Sequence, residues 1–296
     1  MNLRERLIDP KSPDRRPRRA AYALPTLFTA GNVYLAFYAL IEVYQGSMAM
    51  AQDPAAAQLH FAKAALAIGV GVFVDGLDGR IARMTNTTSD FGREMDSLAD
   101  VIAFGLAPAM LAFAWGVQFI VPPVDSRWAD LLRRGGYFVV FLFLMCGAMR
   151  LARFNIQKNP VPKNPGRSDR KYFVGLPIPA AAALVASIVY AFDNSAPLRA
   201  WWLSAAWLGL LALLSFLMVS TWRYPSFKDL HLTRPRSPLT ILLFAAAIYL
   251  IVDFSQIALF AMTSAYVLSG IAIRLGGIIR RRLRPSPPRT PEHQVG

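Results

Sequence analysis

The stretch "AWWLSAAWLGLLALLSFLMVS", residues 200–220, is apolar on every face and about 20 residues long, enough to cross a bilayer as a helix. A helix buried in a soluble core would keep a polar stripe for water, and none is present here. Similar runs recur along the 296-residue chain, which is 55% hydrophobic. We therefore expect an all-α polytopic membrane protein with about eight transmembrane helices, near 22–44, 59–83, 96–120, 136–155, 173–193, 200–221, 237–253 and 256–278. Residues 1–20 read as a basic cytoplasmic arm, 21–280 as a transmembrane domain, and 281–296, mostly "RPSPPRTPEHQVG", as a disordered Pro-rich tail. No small-residue cleavage site follows the first apolar run, so the basic start does not read as a cleaved signal.

The formal net charge is +14. In a soluble chain that balance would point to nucleic acid. Here its location decides. Alternating the spans places 27 of the 32 lysines and arginines on one membrane side, leaving Lys63, Arg127, Arg133, Arg134 and Arg199 on the other. The positive-inside rule puts both termini and the loop after the second span in the cytoplasm, as for a protein of the cell's inner or plasma membrane. "RRPRR" (15–19) and "IIRRRLR" (278–284) suit anionic lipid headgroups, so the charge implies membrane lipids and no nucleic acid. Cys146 is the single cysteine and reads as packing, and the three histidines are scattered.

Four aspartates interrupt this apolar background. In "DGLDGRIARMTNTTSDFGREMDSLAD" (75–100), Asp75, Asp78, Gly79, Ala82 and Arg83 share one helical face, and Gly92, Asp96 and Asp100 share another. "TNTTSD" between them supplies capping residues for the second helix. Two helices joined by a short turn would bring the four carboxylates together. Such a cluster stays ionised only with cations inside it, and oxygen-only ligands select hard ions: Mg²⁺, Mn²⁺ or Ca²⁺. Two such ions suit displacement at phosphorus. The small residues admit a flat ligand, and Arg83 suits a phosphate. Solvated loop acids paired as Asp78–Arg83 and Arg93–Asp96 are the bland alternative. Asp90 and Glu94 fall outside the carboxylate set, the first as a cap and the second on another face.

The same string fits D-x-x-D-G-x-x-A-R-x(8)-G-x-x-x-D-x-x-x-D at every fixed position. In this it resembles the CDP-alcohol phosphatidyltransferase family. "ALPTLFTAGN" (23–32), "DSLADVIAFGLAPA" (96–109), "GAMRLARFNIQ" (147–157) and "KYFVGLPIPAAA" (171–182) are similar to the membrane-integral phosphatidylserine synthase branch, over about residues 22–280. The insert "KNPVPKNPGRSDR" (158–170) lies between the last two and supports no carry-over.

The resemblance implies the family's fold and a transfer of the phosphatidyl group from CDP-diacylglycerol to L-serine, giving phosphatidylserine and CMP. Asp75, Asp78, Asp96 and Asp100 would ligate two divalent cations, Mg²⁺ or Mn²⁺ (or Ca²⁺). Asp100 would be the general base for the serine hydroxyl. Asp78, Gly79, Ala82 and Arg83 would bind the CDP moiety, and a homodimer is expected. Arg150 and Arg153, three apart at the end of the fourth span, and Asn155 beside them are candidates for the acceptor or donor phosphate; snorkelling to headgroups is the alternative. "GLPIP" should break or kink the start of the fifth span. The same chemistry on glycerol 3-phosphate or an inositol phosphate is the nearest competing reading. A cation transporter would instead need acids spread through the depth of the bilayer.

Overall fold

The structure is a computed structural model that describes residues 19–85, 90–121, 126–158, 172–192, 196–225 and 255–283. In chain order these form α1 (Arg19–Ala49), α2 (Pro54–Thr85), α3 (Asp90–Asp100), a π-helical segment (Val101–Leu106), α4 (Ala107–Gly116), α5 (Ser126–Lys158), β1 (Tyr172–Val174), α6 (Ile178–Ala191), α7 (Trp201–Val219), β2 (Arg223–Pro225) and α8 (Ser255–Leu283). Six described segments are long and apolar enough to span a membrane: Leu27–Ala49, Pro54–Leu77, Glu94–Gly116, Asp130–Ile156, Trp201–Val219 and Gln256–Gly276; α6 is a shorter apolar helix. The expected span at 237–253 lies outside the described residues, as do most of the basic arm and all but the first residues of the Pro-rich tail. The chain is thus a polytopic helical membrane protein. Large apolar side chains left exposed on α1 (Tyr34, Phe37, Ile41, Tyr44, Met48) recur every three or four residues, the stripe expected of a face turned to lipid.

α1 and α2 form a tight hairpin. Asp53 Oδ1 accepts the N–H groups of Ala55 and Ala56, both at 3.1 Å, and caps α2, with Pro54 at the first helical position. Further in, Glu42 Oε2 lies 2.6 Å from His60 Nδ1, with Glu42 buried. In hydrocarbon this polar contact clamps the two helices. No role for the pair was readable from sequence, because its partners are distant in the chain.

The third span differs from a plain α-helix. Directly after Asp100 it widens into the π-helical turn, and Ala107 N–H donates to Ile102 O, five residues back. The cause lies in "FGLAP". Pro108 has no N–H for the carbonyl of Phe104, and its ring crowds that turn. The wider register lets the helix run on into α4.

The fifth span starts later than 173. Pro177 stands at the N-cap of α6 and Pro179 in its first turn. The break expected at "GLPIP" is therefore a strand leading into a helix start. β1 pairs antiparallel with β2, with Phe173 opposite Tyr224. This ribbon is an addition to the expected all-helical reading. Gly175 closes it at φ +78°, and a Cβ there would come 2.6 Å from Met218 O. Only glycine takes this conformation and this approach without strain. At the other end of the molecule Trp115 packs edge-on against Trp207, at 5.2 Å between ring centroids, and Trp207 Nε1 donates to Ala112 O.

Candidate functional site

The end of α2 and the start of the third span meet where the expected carboxylates lie. Asp75, Asp96 and Asp100 each offer an oxygen within 4.8 Å of the other two. Asp75 and Asp100 are half-buried and Asp96 is exposed, while Asp100 Oδ1 is itself inaccessible to water. The helical register explains the convergence, since Asp96 and Asp100 stand one turn apart on α3. Asp78, Gly79, Ala82 and Arg83 continue α2, but their side chains lie outside the described residues. An all-oxygen donor set this close, with one oxygen withdrawn from water, fits a hard divalent cation. Without one, like charges at such separations repel strongly.

α5 brings the candidate acceptor residues to the same end. Arg150 is buried, and its charge acts on Asp100 and on the polar group of Tyr266. Its guanidinium lies 5.7 Å from the Phe154 ring centroid, and its Nε finds no hydrogen-bond partner among the described residues. Arg153 is engaged differently. It donates to Val219 O at 3.1 Å, and to Val174 O and Ser220 O at 3.4 Å. These are carbonyls at the end of α7 and on β1, so Arg153 ties the ribbon to the bundle. Although the two arginines are three apart, they meet different surroundings. Asn155 Nδ2 donates to Ser97 Oγ at 2.7 Å, pinning the end of α5 to the carboxylate helix.

Other polar groups at this end were not singled out from sequence. Tyr224 of β2 is fully buried, and its hydroxyl has no partner among the described residues. Burial, with Tyr266 adding to it, pushes this hydroxyl up to about 12, so it stays a neutral O–H at pH 7. Its ring lies 5.9 Å from that of Tyr266, whose hydroxyl donates to Pro225 O at 3.3 Å. Gly270 of α8 makes room, since a Cβ there would run into the Tyr224 ring. Asn32 of α1 is also buried, with Oδ1 2.8 Å from where a Cβ on Gly71 would stand, one turn before Asp75. Arg150, half-buried Tyr266 and buried Tyr224 thus form a line of polar groups leading away from Asp100. No short-range pattern marks it, because α5, β2 and α8 are far apart in sequence.

The chain is similar in sequence to known proteins. The family model for CDP-alcohol phosphatidyltransferase matches residues 22–218. The chain is similar to the CDP-diacylglycerol--serine O-phosphatidyltransferase of Helicobacter pylori, 39% identical over 213 residues, covering 72% of this chain and 76% of that protein. The protein of the same name from Bacillus subtilis is 33% identical over 169 residues, or 56% of this chain and 76% of that one. The archaetidylserine synthase of Methanothermobacter thermautotrophicus is 36% identical over 158 residues, or 53% of this chain and 55% of that one. The family match runs from α1 into α7, two thirds of the chain, and takes in every carboxylate of the cluster, and on that ground this chain belongs to the CDP-alcohol phosphatidyltransferase family.

Proposed function

We propose that this protein transfers the phosphatidyl group of CDP-diacylglycerol to the hydroxyl of L-serine, giving phosphatidylserine and CMP. The observation that carries the chemistry is the convergence of Asp75, Asp96 and Asp100 within 4.8 Å at the end of two membrane helices. The likeness to a CDP-diacylglycerol--serine O-phosphatidyltransferase over 72% of the chain supports the choice of acceptor.

In this reading Asp75, Asp78, Asp96 and Asp100 hold two divalent cations, Mg²⁺ or Mn²⁺. Ions bound there would supply Lewis-acid polarisation of the pyrophosphate and charge to meet the departing phosphate. Gly79, Ala82 and Arg83 line the CDP moiety. Asp100 takes the proton of the serine hydroxyl as its oxygen forms a bond to phosphorus and the bond from phosphorus to CMP breaks. A carboxylate so placed contributes about 10²–10⁴-fold. Asp100 is suited to this because it is the deepest of the cluster along its helix and faces the buried Arg150. Arg150 receives the serine carboxylate or the donor phosphate. Arg153 and Asn155 hold the end of α5 in register through the carbonyls of α7 and through Ser97.

The excess of lysine and arginine at this end of the bundle supports a cytoplasmic site, where serine is soluble and CDP-diacylglycerol keeps its acyl chains in the bilayer. The working unit is a homodimer in this account.

The test is CMP release by purified protein with CDP-diacylglycerol and a panel of alcohols. Release with serine is expected. No release with serine, but release with glycerol 3-phosphate or an inositol phosphate, would leave the transfer chemistry standing and overturn the acceptor.

A further inference from the structure

At the membrane face opposite the carboxylates, α1, α4 and α5 leave a cleft of about 520 Å³. Gln118 lies eighteen residues beyond Asp100 on a nearly continuous helix, about 27 Å at 1.5 Å per residue, close to the thickness of the hydrocarbon layer. We propose that this cleft binds one acidic phospholipid of that half of the bilayer. The site stands apart from the transfer chemistry and from its substrates.

The three walls share one gradient. Going outward, α1 passes from Leu40 to Ser47, with Met48 beside it, the third span from Met110 to Gln118, and α5 from Tyr137 to Arg133. Each is apolar or aromatic towards the bilayer centre and carries a polar side chain, Ser47, Gln118 or Arg133, towards the surface, which is the polarity of a phospholipid. Phe113 stacks on Tyr137 with ring centroids 4.6 Å apart, giving the deep part a flat wall for an acyl chain. Ser47 Oγ donates to Gln118 Oε1 at 3.1 Å, which fixes the amide at the mouth. Arg133 at that mouth is exposed and makes no ion pair among the described residues. A guanidinium with free donors is suited to a phosphodiester. A second copy of the chain fits less well, because a two-fold contact through this cleft would bring two Arg133 side chains together.

Native mass spectrometry of the full-length protein tests this, with phosphatidylglycerol and phosphatidylcholine of matched acyl chains as probes. Wild type should retain one phosphatidylglycerol with about a tenfold preference, the scale of one charge-assisted hydrogen bond. Arg133→Gln should bring that preference close to one. Arg134→Gln, one residue away and outside the cleft lining, should leave it intact. Met110→Trp, at a half-exposed lining position, should lower retention of both lipids by filling the cleft. Equal retention of the two lipids by wild type, an unchanged preference in Arg133→Gln, or an equal loss in Arg134→Gln would overturn the proposal. So would a Met110→Trp variant that changes the mass of the oligomer but not its lipid count.

Discussion

Replacing Asp75 with Asn removes one of three carboxylates whose oxygens approach within 4.8 Å. At that separation and an effective dielectric of about 20, two unit charges repel by about 3.5 kcal/mol. Asp96 is exposed, so water screens its pairs to a fraction of this, and the half-buried Asp75–Asp100 pair carries most of the repulsion. Two effects limit the relief. A carboxyl can instead take a proton, which at pH 7 costs about 4 kcal/mol, and the charge of Arg150 already offsets part of the field at Asp100. In chelator, then, Asp75→Asn should be more stable than wild type by about 1–2 kcal/mol, or roughly 2–6 °C in midpoint. With divalent cation present the order should reverse. Wild type gains about 2.7 kcal/mol at a cation concentration of 100 times Kd, and the variant gains less. Cys146, the single cysteine and half-buried in α5, suits a thiol-reactive fluorophore as the unfolding probe. A variant less stable than wild type in chelator, yet with the full response to Mg²⁺, would refute the reasoning. The carboxylates would then be balanced by basic side chains and not by ions.

Other outcomes follow from the same geometry. Asp100→Asn should lower CMP release by about 10²–10⁴-fold while CDP-diacylglycerol still binds; retained turnover would remove Asp100 as the base. Tyr224→Phe should leave the protein as stable as wild type or slightly more so in thermal unfolding, because the hydroxyl is buried without a described partner. A loss of more than about 1 kcal/mol would show that this hydroxyl makes a hydrogen bond in the folded protein. Gly175→Ala should destabilise by more than about 2 kcal/mol in thermal unfolding, through its positive φ and the closeness of Met218 O; an unperturbed midpoint would contradict the ribbon geometry.

What sequence made legible was whatever repeats at short range. All-round apolarity marked the spans, and four-residue spacing placed Asp96 and Asp100 on one face with Asp75 brought to them by the preceding helix. The helices nevertheless run past the apolar stretches. α5 begins at Ser126, ten residues before its expected span, since backbone hydrogen bonding continues a helix into the interface after hydrophobicity stops. The π-helical turn was hidden because Pro108 usually signals a helix boundary, whereas here the helix widens around it. β1 and β2 are three residues each, too short for a period-2 pattern to register. Helical spacing put Arg150 and Arg153 on one face, but not their partners. One is buried beside Asp100 and the other donates to carbonyls of α7 and β1, and only tertiary packing separates those fates. The Arg150–Tyr266–Tyr224 line and the Glu42–His60 clamp were invisible for the same reason.

The central claim is that the hydroxyl of serine attacks phosphorus at the carboxylate cluster. Purified protein given CDP-diacylglycerol, Mn²⁺ and serine carrying ¹⁸O in its side-chain hydroxyl tests it most directly. The account predicts one unlabelled CMP per phosphatidylserine, with the ¹⁸O in the phosphodiester bridge, and no product when the divalent cation is chelated. A lipid product joined through the serine nitrogen, a bridge without ¹⁸O, or undiminished turnover in chelator would contradict it.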